Sequence, residues 1–155
     1  MVFDHGRPTA AGWADVPKPW LAQLEPRGTQ ISPAETLGPG VALATWPSRL
    51  QDRDVLFFCD NQGAVHSLAG GVASAMDLQA LVSATQAALA HWRVRWYIEY
   101  VPTLANVSDG LSRLGNADPW CAEHGLTVEH LALPAWLVSL RAPMEQYLDL
   151  IKSAR

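Results

Sequence analysis

Val55-Leu56-Phe57-Phe58-Cys59-Asp60-Asn61-Gln62-Gly63 is the stretch on which the fold turns. Five apolar residues run without alternation from Val55 to Cys59. That pattern predicts a strand buried on both faces, as in a parallel sheet covered by helices. The run stops at Asp60 and enters a polar turn. Polar groups at the carboxyl end of such a strand face the crevice where α/β sheets usually keep their sites. Asp60 could also cap the short helix predicted over Ala64 to Leu68 and closed by Gly70-Gly71, but its place after so buried a strand favours a site role.

Downstream of this stretch the pattern is regular. Leu78, Leu81, Val82, Ala88 and Leu89 share one helical face, which predicts a helix over Asp77 to Trp92. Val94 to Val101 alternates like a strand. After Pro102 and a polar turn, Val107 to Arg113 begins another helix. Upstream, Ile31-Ser32-Pro33-Ala34-Glu35 reads as a helix start. Ser32 stands as N-cap, Pro33 as first helical residue and Glu35 as the capping-box acid. The helix would continue through Val41 to Trp46, with a kink or break at Gly38-Pro39-Gly40 because Pro39 has no N–H to donate to the Glu35 carbonyl.

The first residues read as a strand end at Val2-Phe3, then Asp4, then a turn over His5-Gly6-Arg7-Pro8. Gly12 to Val16 would start a second strand, confined to an edge by Pro17 and Pro19. Trp20 to Leu24 would be a third, ended by Pro26-Arg27-Gly28. The order mixes hairpin and βαβ elements, which predicts one α/β domain over residues 1–115. Residues 116–155 are cut into short pieces by Pro119, Gly125, Pro134 and Pro143, and predict a partly helical extension with a terminal helix over Pro143 to Ile151.

Composition narrows the functional classes. The chain has 155 residues, of which 49% are hydrophobic and 17% charged, so it can bury a core and is not disordered. Eleven Lys and Arg against 15 Asp and Glu give a net charge of −4, and no basic block exists, which argues against a free-standing nucleic-acid binder. Cys59 and Cys121 belong to no CxxC pair, so zinc-ribbon and redox motifs are absent and a reduced, intracellular setting (cytoplasmic or nuclear) is the simpler expectation. No apolar run approaches the roughly 20 residues of a membrane helix, and Met1 to His5 lacks the basic-then-apolar pattern of a signal peptide.

Asp4 and Asp60 both directly follow strand-like residues. If the two strands lie side by side and parallel, both carboxylates project from one sheet edge. Carboxylates held there are costly unless they are paired or bound to a cation. With few basic partners in the sequence, a hard, oxygen-preferring ion such as Mg²⁺ is the natural counter-charge.

Cys59-Asp60-Asn61-Gln62-Gly63-Ala64-Val65, then Val101-Pro102, then Asn106-Val107-Ser108-Asp109-Gly110-Leu111-Ser112-Arg113 resembles the ribonuclease H domain of retroelement reverse transcriptases. Gln30 to Glu35 is similar to the start of that family's first helix, and Asp4, with Gly12-Trp13 after it, stands where the family has its first-strand Asp. The resemblance covers residues 1 to about 115, in the family's motif order. It implies a ribonuclease H-like fold, a mixed five-stranded sheet flanked by helices. It also implies a four-carboxylate site, Asp4, Glu35, Asp60 and Asp109, holding two Mg²⁺ or Mn²⁺ ions, with Asn61, Asn106 and Arg113 near the substrate. The implied reaction is endonucleolytic hydrolysis of the RNA strand of an RNA–DNA hybrid, with a covalently linked polymerase domain as partner.

The chain departs from cellular ribonucleases H in having no His between Val101 and Ala105, a loss common to retroelement forms that implies slower product release. Gly38-Pro39-Gly40 bears on how Glu35 is held. Two other readings stay open. One is a ribonuclease H-like structural or interaction module without activity, and the other is a nuclease of the same superfamily that cuts DNA. Residue by residue, Glu35 also fits a capping box, Asp109 a helix first turn and Asp4 a solvated terminus. Arg7, Arg93, Arg95 and Arg113 are candidate phosphate contacts or solvated charges, and Trp13 and Trp96 suit either base stacking or packing.

Overall fold

The computed structural model describes residues 1–138 together with 149 and 152. The terminal helix expected over Pro143 to Ile151 falls, apart from Asp149, outside the described residues. The chain is mixed α/β and divides into two compact units: Met1–Asp15 with Val101–Ala132, and Val16–Tyr100 with Leu133–Arg155.

The first unit is built on a three-stranded sheet. β1 (Val2–Asp4) pairs antiparallel with β2 (Arg7–Trp13), and β2 pairs in parallel with a strand at Val128–His130. The reversal between β1 and β2 takes only two residues. His5 and Gly6 have φ of 49° and 75°, the paired positive values of a tight hairpin turn, so Arg7 and Pro8 already belong to the strand. The expected second strand from Gly12 to Val16 is therefore corrected: it begins at Arg7, ends at Trp13, and occupies the centre of its sheet rather than an edge. Pro17 and Pro19 lie beyond it. Ala11, Leu111 and Cys121 form the buried core of this unit, with Met1, Trp13, Trp120, Leu126 and Val128 packed around them.

In the second unit, α1 (Lys18–Leu21) replaces the strand expected over Trp20 to Leu24. Proline explains the difference. Pro17 and Pro19 fix φ at a helix-compatible value, and the Pro17 carbonyl accepts the N–H groups of Trp20 and Leu21 at 2.9 and 3.1 Å. Trp20 is 1% exposed and its indole N–H donates to the Leu137 carbonyl. α2 (Ile31–Thr45) carries Pro39 inside it and is one helix through Gly38-Pro39-Gly40, so the expected interruption there is not a break. Close packing holds that segment together. Gly40 leaves the space that Leu137 and Trp136 fill, since a Cβ there would lie 2.9 Å from Leu137 Cδ1.

After α3 (Pro47–Leu50) comes β3 (Asp54–Cys59), then α4 (Gln62–Gly70), α5 (Met76–His91) and β4 (Arg95–Tyr100). These match the four elements read most directly from sequence, and Gly71, at φ 69°, closes α4 in the left-handed conformation. β3 and β4 pair in parallel, with Val55 opposite Trp96 and Phe57 opposite Ile98. Burial corrects one expectation. β3 is covered on one face only: Cys59 and Phe57 pack with Ala64, Leu68, Val82 and Ile98, while Leu56 and Phe58 are 53% and 60% exposed. α4 packs against this sheet, but nothing among the described residues covers the face of Leu56, Phe58 and Tyr97.

α6 (Asp109–Leu114), α7 (Pro119–Glu123), β5 (Val128–His130) and α8 (Ala135–Val138) follow, with short 3-10 turns at Thr103–Ala105 and Gly115–Ala117. β5, the partner of β2, lies within residues 116–155, the segment read from sequence as an extension. No helix among the described residues is long and apolar enough to cross a membrane.

Candidate metal centre

Glu35 and Asp60 come together within the second unit. Glu35 sits one turn into α2, and Asp60 directly follows the last residue of β3. With Cys59 they form a cluster whose ligand atoms all lie within 4.8 Å of one another. Both carboxylates are partly exposed, whereas Cys59 is 7% exposed. Burial pushes the Cys59 thiol up to about 11, against a small lowering by the Asn61 backbone, and the nearby charges of Glu35 and Asp60 add to the rise. The thiol therefore stays protonated near neutrality. Glu35 and Asp60 offer a pair of oxygen donors, the ligand type that Mg²⁺ and Mn²⁺ prefer, with the Cys59 sulfur beside them.

The local sequence makes this junction. Asn61 caps α4, its Oδ1 accepting the Ala64 N–H at 3.0 Å. The cap thus falls to the residue after Asp60, leaving the Asp60 carboxylate out of it. Ser32 and Glu35 also take roles other than a capping box. The N-cap of α2 is Gln30, no side chain caps the helix, and no acid stands in its first turn. The reason is that the helix begins at Ile31, two residues before the start at Pro33 that the Ser-Pro pair predicted. Ser32 then falls inside the first turn, and its hydroxyl donates to Asn61 Oδ1 at 3.3 Å instead.

Asp4 and Asp109 belong to the first unit. Asp4 ends β1, half-exposed, with His5 Nε2 at 3.8 Å from its Oδ1. Asp109 is the first residue of α6, and Arg113, one turn on, donates to both its oxygens at 3.0 and 3.2 Å. Asn106 folds back on its own loop: its Oδ1 accepts the Ser108 N–H at 3.1 Å and the Ser108 hydroxyl at 2.6 Å. That local turn sets the entry into α6.

The candidate phosphate contacts are largely engaged. Arg93 donates to both oxygens of Asp52, and Arg95 to both of Asp54, as Arg113 does to Asp109. Trp13 is a packing residue. His130 stacks on it with ring centroids 4.3 Å apart, a Cβ at Gly115 would meet its ring at 2.8 Å, and its N–H donates to Asn116. Trp96 packs edge-on against Phe57 in the β3–β4 core.

Sequence reasoning missed two members of this neighbourhood. Cys59 read as a small hydrophobe of the strand, and its adjacency to Asp60 was the only signal of a site role. Ser32 read as an N-cap, which hid the hydrogen bond it makes to Asn61. No protein-family model, curated protein or solved structure matches the chain.

Proposed function

We propose that the chain is a ribonuclease H-type, metal-dependent endonuclease domain that hydrolyses the RNA strand of RNA–DNA hybrids, as part of a reverse transcriptase. One observation carries the reading. Glu35 and Asp60, drawn from motifs 25 residues apart and from different elements, offer ligand atoms within 4.8 Å of each other. Asp4 and Asp109 complete the motif order in sequence, and the reading assigns them to the same site. It likewise joins the five strands into one ribonuclease H sheet.

Two carboxylates, Glu35 and Asp60, offer the hard oxygen ligands that Mg²⁺ or Mn²⁺ prefers. When bound, two such ions lower the pKa of a water and offset charge on the scissile phosphate. The protein's share is positioning. Glu35 is presented by a helix and Asp60 by a strand end, so each carboxylate arrives on a rigid element. Asn61, Asn106 and Arg113 are the residues assigned to the substrate side. Selection of RNA over DNA would rest on 2′-hydroxyl contacts and duplex shape.

A labelled RNA–DNA hybrid, an RNA duplex and a DNA duplex, each incubated with Mg²⁺ or Mn²⁺, test the reading. Cleavage of the hybrid alone, lost in Asp60→Asn, is expected. Cleavage of the DNA duplex instead would move the domain to another nuclease activity. No cleavage of any substrate would overturn it in favour of a non-catalytic module, a reading favoured by the Arg113 guanidinium already covering both oxygens of Asp109.

A further inference from the structure

We propose that Ser32 and Asn61 form a clasp that sets Glu35 against Asp60, so that Ser32 is a positioning residue of the metal centre. The inference rests on the nuclease reading above and concerns how its site is held.

The geometry is contained in one unit. Ser32 lies in the first turn of α2, and its hydroxyl leaves its own helix to donate to Asn61 Oδ1. Asn61 is the residue after Asp60, and the same Oδ1 accepts the Ala64 N–H, so this one atom ties α2 to the start of α4. Residues three apart on a helix share a face, which places Glu35 on the side of α2 that Ser32 turns toward Asn61. A bond between Ser32 and Asn61 therefore fixes the rotation of α2 relative to the β3–α4 junction. That rotation decides how far the Glu35 carboxylate stands from Asp60.

Two neighbours support the clasp. Gly63 leaves room for it, since a Cβ there would lie 3.3 Å from Asn61 Oδ1 and 3.5 Å from Ser32 Oγ. Thr36, fully buried, donates its hydroxyl to the Ser32 carbonyl at 2.7 Å and stiffens the turn that carries both Ser32 and Glu35. The Ser32 hydroxyl caps nothing in α2, so the fold loses only this one part-buried hydrogen bond when it is removed. Its removal should therefore disturb the site more than the fold.

The test is Mn²⁺ titration, read by the electron paramagnetic resonance signal of free Mn²⁺, on the wild type, Asp60→Asn, Ser32→Ala and Ser32→Thr. Thermal unfolding of each is measured alongside. Ser32→Ala should weaken Mn²⁺ binding about tenfold, the low end for groups that orient metal ligands, with an unchanged unfolding midpoint. Ser32→Thr, which keeps the hydroxyl, should bind as the wild type does. Wild-type affinity in Ser32→Ala, or an equal loss in Ser32→Thr, would overturn the clasp while leaving the metal centre standing. A wild type whose Mn²⁺ binding is absent, or is untouched by Asp60→Asn, would overturn the metal reading and the clasp with it.

Discussion

Replacing Gly110 by Ala reverses an ordinary expectation about helices. Gly110 is the second residue of α6, directly after Asp109. In open space an Ala there would stabilise the helix by about 1 kcal/mol through propensity alone. The space is not open. A Cβ at Gly110 would run into Asp118 Oδ2, and Asp118 is 2% exposed. The carboxylate cannot simply swing aside, because its Oδ1 caps α7 by accepting the Cys121 N–H at 2.8 Å. Displacing it forfeits a cap, about 1 kcal/mol, and leaves a buried acceptor short of a partner, about 1–3 kcal/mol more. Set against the propensity gain, the balance is a loss of about 2 kcal/mol, or roughly 4–8 °C in unfolding midpoint for a chain of this size. Gly70 serves as control: it is the last residue of α4, nothing lies within 4 Å of a Cβ there, and Gly70→Ala should be neutral or mildly stabilising. Thermal melts followed by circular dichroism decide the matter. Gly110→Ala melting at or above the wild-type midpoint would refute the close approach of Asp118, and with it the account of how the start of α6 is held.

The remaining predictions concern buried ionisable groups. Asp77 is buried; desolvation alone would raise its pKa, but two hydrogen bonds from Arg27 and the N–H groups of Glu25 and Leu78 hold it below the usual carboxylate range. A depressed folded pKa means stability that is complete above about pH 4 and lost as the pH falls through the folded value. Asp77→Asn should thus cost about 3 kcal/mol near neutrality, and the gap between variant and wild-type midpoints should narrow as the pH is lowered toward about 3. Both cysteines are buried thiols pushed up to about 11, Cys121 by burial and then by the Asp118 hydrogen bond and charge. Neither should react with iodoacetamide at pH about 8 in the native protein, and both should react in denaturant, as mass spectrometry would show.

The parts of the fold legible in the sequence were those where one physical cause dominates. α5 follows from a long apolar face, β3 and β4 from apolar and β-branched runs, and the end of α4 from a glycine free to adopt positive φ. Misreadings arose where proline carries two meanings. Pro17 and Pro19 suggested a strand edge, yet proline equally pre-sets a helix start, and the hydrogen bonds to the Pro17 carbonyl make it one. Pro39 suggested a break, yet α2 continues past it, and Leu137 and Trp136, far along the chain, pack closely at Gly40. Long-range packing also decided β3: its apolar run says nothing about whether one face or two will be covered. At the site, Asp60 and Glu35 were legible as motif residues. Ser32 was not, because a serine followed by proline looks like a cap until the first helical residue is known.

The acidic character of the chain bears directly on the proposed activity. A nucleic-acid duplex is gripped chiefly by cations that neutralise phosphates and release counterions. Here Arg93, Arg95 and Arg113 each present both donors of one guanidinium edge to a carboxylate of the protein. A phosphate would have to displace Asp52, Asp54 or Asp109 to recruit them, so each such contact would gain little over the pair it breaks. Pairs this exposed are themselves weak, commonly below about 1 kcal/mol, so exchange is not forbidden; it merely yields no surplus. Affinity for a hybrid must then come from elsewhere, and on the proposed reading a covalently linked polymerase domain would supply it at a high effective concentration. On that argument the isolated chain should need far more hybrid than the linked protein to reach half-maximal cleavage, while turning over bound hybrid at a similar rate. On the proposed reading, a raised KM with an intact kcat is the expected result, and a lowered kcat would instead indict the carboxylates themselves.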